Sequence, residues 1–319
     1  METLNIVNGN ACIGIMKEAG IEGDFLPWND FLHEGPVPKE LSLDELSHIR
    51  AKFISNFKVG SFREIYREFQ KRDEIIKSYK NYQKIRLWFE HDLYDQLQLL
   101  QILSWFEKQT LNTTQITLVS TNHYLGELTV PQIQNTLRYE LDILPAHFKL
   151  ASKAWSAFTQ PTPKEWFKLL HQPTSQLPFL KDTVRRMLEE YPDNKTGLSK
   201  TEYHALLVIS QGVDNADDIF IECQNLEKKK FMGDVIFWRI LNRFEVAKVI
   251  KREEKSLTLT PLGLQLLNGE KNWIAIRPIK HFIGGTEISN TNLWCWDKKQ
   301  ECIKKYYYSQ TINSLLAVK

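Results

Sequence analysis

Leu87-Trp-Phe-Glu-His-Asp-Leu-Tyr-Asp-Gln-Leu-Gln-Leu-Leu-Gln-Ile-Leu103 reads as the end of a buried strand, a turn crowded with ionisable groups, and a helix. Residues 85–89 are apolar or aromatic apart from Arg86, the pattern of a central strand with both faces covered. Glu90, His91 and Asp92 then arrive together. After them Leu93, Leu97, Leu100 and Leu103 recur at three- and four-residue spacing, with Leu99 and Ile102 beside them, which predicts an amphipathic helix packed on a sheet. Asp92 fits an N-cap and Asp95 the first turn, where negative charge suits the helix dipole. Ligands of α/β folds bind outside the carboxyl ends of strands, so Glu90 and His91 stand where chemistry is expected. Two readings stay open here. Asp92 and Asp95 serve as helix-start residues alone or as part of a site, and His91 is either a hydrogen-bonded structural residue or a catalyst or ligand.

Toward the N-terminus, residues 4–7 form a short apolar strand, Asn8-Gly9-Asn10 a turn, and residues 11–19 a helix ending at Gly20. Free backbone N–H groups at such a strand-to-helix turn suit an anion. One glycine is far from a phosphate-binding fingerprint, and a tight turn with no ligand fits equally well. Residues 24–28 are a second strand candidate ending at Trp28. The following stretch to Pro38 holds two prolines and a glycine, which rule out a helix. It carries Asp30, His33 and Glu34, three proton-transfer or metal-ligand types. Residues 42–82 are helical and heavily charged, broken at Gly60-Ser61, where Ser61 and Glu64 form a capping box. Residues 115–120 are another strand, with His123 just past its end.

This alternation predicts an α/β fold whose N-terminal part is a Rossmann-like three-layer parallel sheet, with right-handed crossovers gathering the strand ends on one edge. Glu90, His91, His33, Glu34 and Asp30 are the catalytic candidates there. Asn8, Gly9, Asn10, Trp28, Asp95, Gln96 and His123 are the ligand-binding candidates. The convergence is an inference from topology, not from a motif.

Residues 131–191 read as all-helical, interrupted by Pro161, Pro163, Pro173 and Pro178, with Pro131 in a first helical turn. Residues 191–197 form a hinge, and Ser199 with Glu202 forms a second capping box. Three helices and an alternating hairpin at 246–260 follow, the order of a winged helix–turn–helix with residues 232–244 as recognition helix. Arg239, Asn242 and Arg243 would then face nucleic acid. Asp234 at the helix start opposes phosphate, so DNA is the less favoured partner and a structural or dimerising wing the better reading. Residues 273–297 are strand-like, with a turn at Gly284-Gly285. The expected divisions are 1–130 for the α/β part, 131–197 for a helical connector, and 198–319 for a winged-helix-like domain with a terminal β segment.

The 319 residues are 42% apolar and 25% charged, ordinary for a globular chain with room for two or three such parts. A formal net charge of +2 gives no electrostatic case for a dedicated nucleic-acid protein. Cys12, Cys223, Cys295 and Cys302 are scattered, without the spacing of a structural zinc site or a disulfide framework. No signal peptide and no apolar run of about 18 residues is present, so a cytoplasmic location with no membrane partner is expected.

Val7-Asn-Gly9, Leu26-Pro-Trp-Asn-Asp30, His33-Glu-Gly-Pro-Val-Pro38 and Leu87-Trp-Phe-Glu-His-Asp-Leu-Tyr-Asp-Gln96 resemble the bacterial family called domain of unknown function 1835. Phe231-Met-Gly-Asp234, Leu259-Thr-Pro-Leu-Gly263, Ile283-Gly-Gly285 and Trp294-Cys-Trp-Asp297 resemble its companion, domain of unknown function 3658. The resemblance spans nearly the whole chain and implies a bacterial cytoplasmic protein, but no particular reaction. One departure stands out. The first turn of such proteins usually reads Asn-Gly-Asp-Ser, and here it is Asn8-Gly9-Asn10-Ala11, without the acidic group and the hydroxyl.

Three functions fit the residues. The favoured one is an enzyme, or a degenerate enzyme, acting on a small polar or phosphorylated ligand by acid–base or metal-assisted chemistry, with a divalent metal as the candidate cofactor. The others are a ligand-sensing DNA-binding regulator and an interaction or dimerisation module, a homodimer in the simplest case.

Overall fold

A computed structural model describes residues 2–277, 279–309 and 314–317. The chain begins β1 (Thr3–Val7), α1 (Ile13–Glu18), β2 (Asp24–Pro27), β3 (Gly35–Pro36), α2 (Leu43–Ser55), α3 (Phe62–Lys77), β4 (Lys84–Phe89), α4 (Leu93–Glu107), β5 (Gln115–Ser120), α5 (Val130–Thr136) and β6 (Glu140–Asp142). Five of these strands form a sheet of order β2-β1-β4-β5-β6, parallel except for the antiparallel edge strand β6. The chain steps from β1 outward to β2, then returns past β1 to β4 and onward to β5. The direction of winding therefore reverses between β1 and β4.

Strand side chains alternate between two apolar layers. Leu4, Ile6, Leu87 and Phe89 join the larger core, while Val7, Trp88 and Val119 join a smaller cluster with Cys12 and Met16 near α1 and Ile133 of α5. Helices thus cover both faces, and this is why the strands read as continuous apolar runs.

The remainder runs α6 (Pro145–Phe158), α7 (Lys164–Lys168), α8 (Leu180–Leu188), α9 (Lys200–Ser210), α10 (Ala216–Asn225), α11 (Asp234–Val246), β7 (Ile250–Glu253), β8 (Ser256–Leu259), α12 (Pro261–Leu267), α13 (Trp273–Ile276), β9 (Lys280–Gly284), β10 (Thr286–Ser289), β11 (Leu293–Asp297), β12 (Cys302–Ser309) and β13 (Ser314–Ala317). β7 and β8 pair antiparallel, as do β9 with β10, β11 with β12, and β12 with β13. The larger core is one cluster that includes both Leu4 and Tyr306.

Local signals in the sequence are realised. The Ser61–Glu64 and Ser199–Glu202 capping boxes close the N-termini of α3 and α9, and Ser42–Glu45 does the same for α2. All four cysteines are free. Among the described residues, no helix is long and apolar enough to cross a membrane.

Four expectations are corrected. Helix α4 is not amphipathic: Asp95, Gln96, Gln98 and Gln101 are buried along with its leucines. It lies between the sheet and the helices α6 and α8, so it has no solvent face. Residues 131–191 are not all helical, because β6 adds to the sheet edge beside β5. Residues 273–297 begin with the helix α13 rather than a strand, capped by the Asn272 side chain. The 29–38 stretch is not only a loop: β3 pairs parallel with β9, Gly35 opposite Ile283, and the Val37 N–H donates to Gly284 C=O at 2.8 Å. That pairing ties the start of the chain to its far end. The β9–β10 hairpin in turn docks on the end of α6, where the Gly285 N–H donates to Phe158 C=O at 3.0 Å. A Cβ on Gly285 would sit 1.8 Å from the Thr159 carbonyl oxygen, so only glycine permits this approach.

Candidate functional site

Val7 lies level with Trp88 in the parallel pairing of β1 and β4, so the turns that follow the two strands are neighbours. The first turn of α4 binds them together. The Asp95 carboxylate accepts the Glu90 backbone N–H at 2.6 Å and the Asn8 side-chain amide at 2.6 Å. Gln96 donates to the Glu90 carbonyl at 2.6 Å, so both backbone groups of Glu90 are held by α4. Asp92 is the N-cap, accepting from Tyr94 N–H at 2.8 Å and Asp95 N–H at 3.2 Å. The Glu90 carboxylate accepts the Leu125 N–H at 2.7 Å from the loop after β5. Gln98 extends the same stapling to the next loop, donating to the carbonyls of Trp28 at 2.9 Å and Asp30 at 2.8 Å.

Glu90, Asp92 and Asp95 are all buried, and each presents an oxygen within 4.8 Å of the other two. Burial, reinforced by the Asp92 charge, pushes Glu90 up to about 8. Burial pushes Asp92 up to about 6 against the pull of the α4 N–H groups. Asp95 is raised well above the usual carboxylate range by burial and by the charges of Asp92 and Glu90. Asp30, Asp73 and Glu227 are also buried, and each has a cationic partner, Arg50, Arg72 and Arg186 in turn. Glu90, Asp92 and Asp95 instead crowd one another. Carboxylates so close cannot all ionise unless protons remain or a cation joins them. An all-oxygen donor set suits Mg²⁺ or Mn²⁺ better than Zn²⁺. A cleft of about 210 Å³ opens on the cluster, with Tyr124, Gln224, Lys230 and Phe231 on its other walls.

Other sequence-predicted residues are distributed differently. Asn10 is exposed and Gly9 half-buried beside Asn8, and neither lines the cleft. Trp28 is fully buried and donates its indole N–H to Gln101 at 2.8 Å. Asp30 is engaged by Arg50, whose Nε and Nη2 donate at 3.0 and 2.8 Å. His91 stands outside the cleft, with its ring against Tyr124 and Phe179. Burial, with Lys229 and His123 nearby, lowers it to about 4. His33 packs against Tyr94 and Phe231, and with Glu34 it lines a separate cavity of about 330 Å³. Burial lowers His33 to about 3. His123 is exposed. On α11, the Arg239 guanidinium lies 4.1 Å from the centre of the Phe57 ring, Arg243 donates to Glu202 at 3.2 Å, and Asn242 is exposed.

The site therefore unites Asn8, Glu90, Asp92 and Asp95, with Gln96 behind them. It leaves Asp30, Trp28, His33, Glu34, His91 and His123 outside the cleft. Sequence reasoning missed Tyr94, Tyr124, Glu127, Gln224, Lys230 and Phe231. Tyr94 lies within the opening stretch and Lys230 within the run Lys228-Lys229-Lys230. Nothing local marks the others, because they reach the cleft by long-range packing: the Tyr124 hydroxyl donates to the Lys230 carbonyl at 3.2 Å.

Fold and site together define an α/β protein with a buried acidic cluster at the carboxyl edge of a mostly parallel sheet. No family model matches the chain, and a search of curated proteins finds no match.

Proposed function

We propose that this protein holds a divalent cation, Mg²⁺ or Mn²⁺, between Glu90, Asp92 and Asp95, and uses it to bind a small polar or phosphorylated ligand for metal-assisted chemistry. The observation that carries this reading is the position of the acidic cluster. It lies between the carboxyl ends of β1 and β4, where the winding of the sheet reverses, and such switch points are where open α/β sheets bind ligands. The same reversal and the two helical layers support a Rossmann-like description of this part. Helices α9, α10 and α11 followed by the β7–β8 hairpin support a winged-helix-like one for the later part.

In this reading Glu90 and Asp92 are the main ligands, each with one carboxylate oxygen beyond those held by the Leu125 and Tyr94 N–H groups. Asp95 and Asn8 position the turn. Lys230 at the mouth of the cleft supplies a positive charge to an anionic ligand, and Tyr124 and Gln224 supply hydrogen-bonding groups. The cation would act as a Lewis acid and template for the ligand. The resemblance to the uncharacterised bacterial family is compatible with this reading and adds no chemistry to it.

The test is calorimetric titration of the metal-free protein with Mn²⁺. Saturable one-site binding that is abolished in Glu90→Gln, with the fold retained by circular dichroism, supports the site. Absence of Mn²⁺ and Mg²⁺ binding by the wild-type protein at moderate ionic strength sinks it.

A further inference from the structure

The cavity behind the first cleft has its own chemistry. Phe231 and Met232 separate the two: Phe231 lines the cleft, and Met232 lines the 330 Å³ cavity with His33 and Glu34. The β3–β9 pairing holds the cavity together, since His33 and Glu34 precede β3 and Lys280 to Ile283 belong to β9. Its volume falls at the lower end of small-molecule sites.

Its charged groups can be accounted for one by one. Glu190 is taken by Arg186 at 2.7 Å and by the Thr201 hydroxyl. Glu202 is taken by Arg243 at 3.2 Å and by the Trp273 indole at 3.3 Å. Lys280 is exposed to solvent, and Glu34 and Arg277 remain. The Glu34 carboxylate lies in the field of Arg243, Arg239 and Arg50 but, among the described residues, accepts no hydrogen bond, and Arg277 Nη1 is buried without an acceptor. Both ring nitrogens of His33 are also unpartnered, on a side chain only 3% exposed. Buried polar atoms normally have partners, and three orphaned nitrogens on two side chains of one cavity, beside a carboxylate that accepts no hydrogen bond, point to a ligand that supplies them. Met232, Ile236, Ile240, Trp273 and Ile283 give the wall a large apolar part, beside the polar Ser199 and His281.

We propose that this cavity is a second ligand site, for a small zwitterion with an apolar body: its ammonium group meets Glu34, its carboxylate meets the Arg277 guanidinium, and His33 completes the polar contacts. A free α-amino acid with an apolar side chain has this chemistry and this size. An isolated carboxylic acid or amine meets only one of the two groups and leaves the other without a hydrogen-bond partner.

The experiment is calorimetric titration of the full chain with L-leucine, L-methionine and L-phenylalanine, alongside 4-methylpentanoate and 3-methylbutylamine. At least one amino acid is expected to bind saturably, and the two half-analogues of leucine at least about tenfold more weakly than the amino acid itself. Glu34→Gln is expected to weaken the amino acid by about tenfold while leaving the carboxylate analogue unchanged, and Arg277→Met to do the converse with the amine. This exchange of selectivity does not arise from a loosened fold, and Glu34→Gln alone decides if Arg277→Met fails to fold. No saturable binding of any of the three amino acids overturns the proposal, as does wild-type selectivity in Glu34→Gln. Mn²⁺ affinity is expected to be unchanged in both variants, so the two sites are tested separately.

Discussion

The Asn8 side-chain amide donates a 2.6 Å hydrogen bond to the Asp95 carboxylate across 87 positions of sequence. This bond joins the turn after β1 to the first turn of α4 and sets the floor of the acidic cleft. Asn8→Ala removes the donor and leaves a buried carboxylate oxygen unsatisfied. We expect a loss of about 1–3 kcal/mol in unfolding free energy, measured by urea denaturation, together with weaker Mn²⁺ binding. Unchanged values of both would remove Asn8 from the site.

The pH dependence of stability has a definite sign. Burial raises Glu90 from 4.5 to about 8, so the folded chain keeps a proton that the unfolded chain gives up. The contribution of this group is complete below pH 4.5 and is lost as pH rises toward 8. The metal-free protein is expected to lose stability through that window, by at most about 1.4 kcal/mol per pH unit from this group. Bound Mn²⁺ replaces the proton, so stabilisation by Mn²⁺ should grow with pH over the same window. Denaturation curves at several pH values, with and without Mn²⁺, measure both slopes. A Mn²⁺ effect that shrinks with rising pH contradicts the assignment.

Arg50 is fully buried, binds Asp30 through two nitrogens, and donates to the carbonyls of Glu34 at 2.8 Å and Phe31 at 3.1 Å. Arg50→Met leaves Asp30 buried and unpaired. The expected cost is about 3–5 kcal/mol, read as a lower denaturation midpoint. A variant as stable as wild type would show that the loop has another support.

Gly285→Ala forces a methyl group onto the Thr159 carbonyl. The hairpin must shift away from α6, at an expected cost of about 1–3 kcal/mol. Proteolysis of the 280–290 region should accelerate in this variant relative to wild type.

Much of the scaffold was legible. The apolar run at 85–89, the alternation of strand and helix, and the serine–glutamate pairs all report contacts made within a few residues. The burial of α4 was not. Its leucines gave the helical period and predicted an amphipathic helix, yet nothing local marks Gln98 and Gln101 as buried. Their partners are backbone carbonyls and an indole on other elements. The partner of Asp30 was equally hidden, because nothing near Asp30 marks Arg50 as its counterion.

By itself the sequence determined that the N-terminal part is α/β, that Glu90 stands at the end of a central strand, and that Asp92 starts the next helix. These follow from hydrophobic period and capping, which are local. Only the tertiary structure decided that Glu90 parts from His91, that Asp95 joins the cleft through Asn8, and that His33 and Glu34 belong to another cavity. Glu90 is held by Asp95, Gln96 and Leu125 while the His91 ring packs on Tyr124 and Phe179, so shared sequence position does not make a shared site. The β3–β9 pairing that creates the second cavity unites distant segments through backbone hydrogen bonds, and no side-chain pattern in either segment records it.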